Sequence, residues 1–428
     1  MTKNRRKIQT KLIQSESLKL SYLLRDSVKS ITYLLGRFPC VVVLGARQVG
    51  KSTLLGQVLP ESKVFDLERP SVFQRVHNDP ELFIQETPRP LLIDEAQLST
   101  ELFKALRVEI DKNRRVMGQF LLTGSSSPQL LQNISESLAG RVAIFELDPL
   151  TWHEAVNPLV ENKLLQEDFT NPEQLKQRQP AVSKAELLQL CLHGAYPEPY
   201  LGRSDHQYWS LWMENYIKTY VERDVRALFP QLNLQSFRRF VQMMAYASGN
   251  LINYSDFARS LDISQPTIKH YFEIAEGTFL WRRITSYATN TKKRMVKMPK
   301  GHLRDTGLIN YFLRINDVDD LKSHPQFGRI WETFIIEQLI RSFNNRLEKV
   351  DYCYYRTQNQ AEIDLVLQGK FGVIPIEIKS GSYTEKKQLK TLTKFIEENN
   401  CPFGLVINNG DEIFKMTDKI YQLPAIYL

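Results

Sequence analysis

The 428-residue sequence predicts a soluble α/β chain built in parts, and three stretches carry that expectation. FPCVVVLGARQVGKSTLLGQVL runs from a β-branched strand pattern through a glycine-rich turn into a helical pattern. NYSDFARSLDISQPTIKHYF reads as two short helices about a tight turn. AEIDLVLQGKFGVIPIEIKS reads as two strands around a glycine turn, with acids gathered on one face. A hydrophobic content of 42% with 24% charged residues is ordinary globular usage and supplies core for several domains.

The basic N-terminal stretch MTKNRRKIQTKLIQSESLKL lacks an apolar run of signal-peptide kind, and no later stretch reaches the ~18 apolar residues of a membrane span. Cys40, Cys191, Cys353 and Cys401 are far apart and form no CxxC pair, so neither a zinc knuckle nor a disulfide framework is expected. A reducing, cytoplasmic location fits this usage. The net charge is +8, and the segment from Trp281 to Arg304 carries Arg282, Arg283, Lys292, Lys293, Arg294, Lys297, Lys300 and Arg304 without an acid. A one-sign block points to a polyanion partner, and a solubilising or intersubunit role competes with that reading.

Gly45 to Ser52 fits the pattern GxxxxGKS. Backbone amides opened by Gly45 and Gly50 would wrap a β-phosphate, Lys51 would neutralise the β and γ oxygens, and the Ser52 hydroxyl would ligate Mg2+. Gln48, Val49 and Thr53 complete the expected contact set for ATP. About 40 residues on, PLLIDEAQ ends an apolar strand in two acids. Asp94 would hold the water shell of Mg2+, and Glu95 would polarise the attacking water. A third strand, QFLLTGSSS, would bring Thr123, Gly124 and Ser125 toward the γ-phosphate from between the other two. Farther on, ENKLLQEDFTNPEQLKQRQPAVSK is polar and proline-broken, an expected exposed connection.

In the middle of the chain, LWMENYIKTYVERDVRAL has helical spacing. Ser255 would cap a helix running to Leu261, Asp262 to Ser264 would turn, and Pro266 would open a second helix. FLWRRITSY and RMVKM then predict a two-stranded wing tipped by TNTKK. A nucleic-acid reader of this layout would offer Gln265, Thr267, Lys269 and His270 to a groove and hold phosphates with Lys292, Lys293 and Arg294. Packing or partner docking is the competing use.

In the C-terminal hairpin, period-2 alternation puts Glu377 and Lys379 on one strand face, opposite Ile376 and Ile378. The triplet ExK recurs elsewhere in the chain, so only its strand context distinguishes it. Asp364 lies in a similar strand, and buried charge of this kind demands a partner. Mg2+ held by Asp364, Glu377 and Glu332, the last on the amphipathic pattern GRIWETFIIEQLIRSF, would supply one, with Lys379 orienting water. A salt-bridge cluster is the other solution.

ARQVGKST, LLIDEAQ, LLTGSSS and LAGRV, followed by DPLTWHE and GAYPEPY, resemble a prokaryotic family of AAA+ ATPases that carry a C-terminal nuclease-like domain. RTQNQAEID and PIEIKSG are similar to that domain, of the PD-(D/E)xK kind, although Ile363 rather than proline precedes Asp364. The resemblance implies ATP hydrolysis through Lys51, Ser52, Asp94 and Glu95, with Ser125 as a sensor and Arg141 as a trans-acting or sensor arginine. It also implies a homo-oligomer, a ring among the options, with nucleic acid or a protein as further partner. The expected division is a basic helical segment (1–34), a P-loop NTPase core of AAA+ type (35–150), a helical lid (151–205), a winged-helix region (206–325) and a restriction-endonuclease-like α/β domain (326–428).

Overall fold

The computed structural model describes residues 23–125, 134, 136–156, 169–288, 298–357 and 359–428. The N-terminal part folds as helix α1 (Ser27–Leu35), β1 (Cys40–Gly45), α2 (Lys51–Val58), β2 (Val64–Asp66), α3 (Pro70–Asn78), α4 (Pro80–Glu86), β3 (Leu91–Asp94), α5 (Thr100–Lys112), β4 (Phe120–Ser125) and β5 (Val142–Glu146). Its strands form a sheet in the order β2-β3-β4-β1-β5. Among the described residues its strands pair in parallel throughout. Parallel sheets are covered on both faces, which is why CVVVLG is buried at all six positions and LLID at all four. The order places β4 between β1 and β3, so the C-terminal ends of all three converge on the turn before α2.

Beyond α6 (Trp152–Val156), most of residues 169–183 are exposed, as the sequence suggests, but a few buried residues anchor the stretch. Phe169 is buried and its ring lies 5.1 Å from Phe371 and 5.8 Å from Phe343, while the Ala181 amide donates to the Ile426 carbonyl. This stretch packs on the C-terminal part. Helices α7 (Lys184–His193) and α8 (His206–Thr219) follow, and α8 runs into a π-helical turn at Tyr220–Val225 before α9 (Leu234–Ala247).

A short β6 (Asn250–Leu251) precedes α10 (Tyr254–Leu261) and α11 (Gln265–Gly277). Asn253, not Ser255, caps α10, accepting from the Ser255 amide. Asp262 closes that helix with φ +55°, and Ser264 caps α11 with Pro266 in its first turn. The expected returning segment RMVKM lies, but for Met298, outside the described residues. β7 (Trp281–Ser286) pairs with β8 (Lys300–Leu303), Trp281 opposite Leu303, and β6 adds a third strand to β8. Lys292, Lys293 and Arg294 lie outside the described residues.

After α12 (Thr306–Leu313) comes α13 (Phe327–Asn345), then β9 (Asp351–Arg356), β10 (Glu362–Gly369), β11 (Gly372–Ile378), α14 (Lys390–Glu398), β12 (Gly404–Asn408), β13 (Phe414–Thr417) and β14 (Ile420–Pro424). The nine strands from β6 to β14 form one sheet, ordered β13-β14-β12-β11-β10-β9-β7-β8-β6. The junction is a parallel pairing of β7 with β9, Thr285 opposite Cys353. One sheet therefore crosses the division expected near residue 325.

Helix α13 is not amphipathic. Thr333, Glu337, Gln338, Arg341, Ser342 and Asn345 are buried alongside its apolar residues. Its polar groups serve the neighbouring parts instead of solvent. Gln338 accepts from the Trp152 amide at 2.7 Å, Arg341 donates to the Leu150 carbonyl at 3.0 Å, and Glu337 pairs with Arg282 at 2.7 Å. Buried polar groups are retained only with such partners.

Candidate nucleotide site and C-terminal acid cluster

The turn between β1 and α2 opens a cleft of about 530 Å³ lined by Gly45, Gln48, Gly50, Lys51, Ser52 and Thr53. Gly50 adopts φ +94°, a conformation open to glycine. A side chain at Gly45 would bring its Cβ within 2.4 Å of the Leu147 carbonyl oxygen, so this glycine is required by packing as well as by any ligand. Val49 points away into the core, fully buried. Lys51 is buried too, and its ammonium donates to the carbonyls of Gly45 (3.1 Å) and Ala46 (2.9 Å).

The two acids of LLIDEAQ occupy different surroundings. Asp94 is buried and accepts from the Thr123 hydroxyl and, at 3.2 Å, from the Glu95 amide. Glu95 turns into the cleft with φ +54°. Its carboxylate accepts from Gln97, from the Ser125 amide at 3.3 Å and from the Ser125 hydroxyl at 3.4 Å. Burial works against the charged form of Glu95, but the Lys51 ammonium and the bonds from Gln97 and Ser125 outweigh it and hold its pKa below the usual range. The carboxylate is thus held in its ionised form. Ser125 touches Glu95 from the end of β4.

The cradle is supported from below by a residue the motif reading does not contain. Arg25 is buried and donates to the Val49 carbonyl (2.8 Å), the Asp148 carbonyl (2.7 Å) and the Glu154 carboxylate (3.0 Å). The roof is equally distant in sequence. Pro197, Tyr220, Leu228 and Thr278 line the same cleft, and the hydroxyls of Tyr220 and Thr278 are bonded to each other.

Arg141 stands elsewhere. It precedes Val142, which pairs with Cys40 at the start of β1, so about five residues, roughly 17 Å of strand, separate it from the cradle. Its guanidinium makes a two-pronged pair with Asp111 at 2.7 and 2.9 Å. Contact with its own cradle does not fit this position.

Lys269 lies exposed on α11, its ammonium 5.8 Å from the Tyr254 ring centre. Gln265 and His270 are exposed on the same helix, whereas the Thr267 hydroxyl is bonded to Ser264. Among the described residues, the one-sign block does not form a single basic face. Arg282, Lys300 and Arg304 are buried, and Arg283 pairs with Glu276 at 2.9 Å. Arg282 and Arg304 meet Asp148, Glu146 and Glu337, acids from distant parts of the chain.

Glu332, Asp364, Glu377 and Lys379 do gather at the C-terminal hairpin. Leu365 pairs with Ile376, so Asp364 and Glu377 fall opposite each other one step farther on. Asp364 accepts from the Ile378 amide at 2.7 Å, and Lys379 pairs with Glu377. Lys300 joins them from β8, 2.7 Å from Glu332 and in contact with Glu362. Burial, then the like charge of Asp364, pushes the Glu332 carboxyl up to about 8 and that of Glu377 to about 7. Among the described residues, no three His, Cys, Asp or Glu side chains stand so as to hold a metal ion. As arranged, this cluster does not fit Mg2+.

Residues 37–156 match the family model of an AAA domain. Residues 184–319 and 327–427 match two domains of unknown function, DUF8612 and DUF4143. Over 405 residues the chain is 32% identical to the uncharacterized protein Rv2008c of Mycobacterium tuberculosis, covering 94% of this chain and 83% of the relative. The uncharacterized protein Mb2031c of Mycobacterium bovis matches with the same figures. Among solved structures, a Walker-type ATPase of Pyrococcus abyssi overlaps 67% of this chain and 95% of its own, at 16% identity and a TM-score of 0.39. No helix among the described residues is long and apolar enough to cross a membrane. The chain belongs to the family of these two mycobacterial proteins, with an AAA domain followed by two domains of unknown function.

Proposed function

We propose that this chain binds ATP with Mg2+ and hydrolyses it in the cleft between β1, β3 and β4. One observation carries the reading: Lys51, Ser52, Asp94, Glu95 and Ser125, drawn from three segments, converge where the strands of a parallel sheet end. The donor set fits the cofactor, since Ser52 offers a hydroxyl at the cleft and Asp94 a buried carboxylate beside it. When bound, Mg2+ would neutralise charge on the phosphate oxygens. Lys51 would exchange its two carbonyl partners for phosphate oxygens. Glu95, already ionised, would align the attacking water and take up its proton, while Ser125 and Gln97 hold the carboxylate in place.

Steady-state ATPase assays test this. Lys51→Ala should abolish turnover through lost binding. Glu95→Gln should keep binding and lose on the order of 10²–10⁴ in kcat. A Glu95→Gln enzyme of undiminished kcat would remove Glu95 from the mechanism.

The readings attached to the other parts belong to the same proposal. Assembly as a homo-oligomer would let Arg141 reach a neighbour's nucleotide only by leaving Asp111. Nucleic-acid contact would use Lys269 with Lys292, Lys293 and Arg294, and its mark would be binding that weakens steeply with salt. A second reading, an ATP-operated switch that docks a protein partner through a nuclease-like fold that does not cut, is favoured by Lys300 among the C-terminal acids.

A further inference from the structure

We propose that Lys300 is the resident cation of the C-terminal acid cluster and that its presence closes the cluster to divalent metal. The inference stands apart from the nucleotide cleft and holds whether or not ATP is hydrolysed there.

Lys300 is the first residue of β8, fixed between Leu251 of β6 and Ile284 of β7. From that position its side chain, 4% exposed, crosses to the C-terminal hairpin. The ammonium has three hydrogens and meets three carboxylates: Glu332 at 2.7 Å, Glu362 closer still, and Asp364 at 4.0 Å. Further carboxylate oxygens are also taken. Asp364 uses its second oxygen on the Ile378 amide, Glu362 uses its own on Arg356 at 3.4 Å, and Glu377 is paired with Lys379. Four carboxylates therefore face three fixed cations.

A hard dication needs several oxygen ligands at about 2.1 Å for Mg2+ and tolerates little distortion. With Lys300 in place, such an ion would share Glu332 and Asp364 with an ammonium that cannot withdraw into water, because the lysine is enclosed by strands of its own sheet. The like charges would repel at close range in a poorly screened interior. The acids come from α13, β10 and β11, whereas the cation that satisfies them comes from a strand outside the C-terminal matched domain. The cluster is thus completed by a neighbouring part of the chain.

Mn2+ titration of the nucleotide-free protein at pH 8, with the free ion counted by electron paramagnetic resonance, tests this. Wild type and Asp364→Asn should take up the same amount of ion. Lys300→Met should take up one additional Mn2+ per chain, lost again in Lys300→Met/Asp364→Asn, and Lys300→Arg should behave as wild type. ATPase rate and circular dichroism report the folding of each variant. Uptake by wild type that Asp364→Asn removes would overturn the proposal, and this comparison decides alone if Lys300→Met does not fold. A folded Lys300→Met that takes up no further ion would overturn it equally.

Discussion

Arg25 belongs to no motif, yet it touches the cradle more directly than several residues that do. Its guanidinium fixes the Val49 carbonyl beneath Gly50 and joins it to Asp148 and Glu154. In sequence it reads as one more cation in a basic stretch, because its partners lie 24, 123 and 129 residues away. Pairing over such separations leaves no local pattern. The GKS and DEA signatures, by contrast, were legible because phosphate chemistry forces its groups into adjacent positions. Arg25→Ala leaves the Glu154 carboxylate buried without its cation, a loss of about 3–5 kcal/mol in stability. Arg25→Lys should recover much of that stability through its charge, but not the KM for ATP, since an ammonium does not reproduce the guanidinium's fixed fork. Thermal melts and ATP saturation curves measure the two separately. A lysine variant with wild-type KM would show that the cradle does not depend on this support.

Among the elements, the β10–β11 hairpin shows where sequence periodicity ran out. Alternation located Asp364 and Glu377 on one face and Glu332 on a helix beside them, and the structure gathers the three. It gave no sign of Lys300, which arrives from β8, nor of the burial of polar residues along α13, which answer groups on other segments. The cluster also has a pH signature. Glu332 and Glu377 face Asp364, Glu362, Lys300 and Lys379, and both titrate above the ~4.3 of an unfolded glutamate. The folded chain therefore holds protons that the unfolded chain has released. The stability they contribute is complete below about pH 4 and is lost as pH rises through 7 to 8. Glu377→Gln keeps a neutral group at all pH values, so its melting temperature should gain on wild type between pH 5 and 8.5. A gap that stays constant over that range would contradict the shifted carboxyl.

For the whole molecule, a buried ionic network does the joining. Asp148 from the AAA domain, Arg282 and Arg304 from the middle, and Glu337 and Arg341 from α13 meet without access to water. The apolar core likewise continues from Val41 and Val43 of β1 through Trp209 and Phe240 to Ile376 and Leu405. Parts that share both a core and a charge network unfold together, so calorimetry should record a single transition that an added nucleotide raises as a unit. Two resolved transitions, one alone responding to nucleotide, would show that the parts melt independently. Motif spacing suggests a division into domains, but this mutual dependence was not readable, since each segment's pattern is consistent with a self-contained fold.

The parallel pairing of β7 with β9 bears on how the chain can be cut. A fragment beginning at Phe327, where the last matched domain starts, would lose the strand that covers one side of Asp351–Arg356. Donors and acceptors of DYCYYR along that side would then face solvent as an open template. Such a fragment should self-associate edge to edge, whereas one beginning near Gly249 keeps β6 to β8 and caps its own sheet.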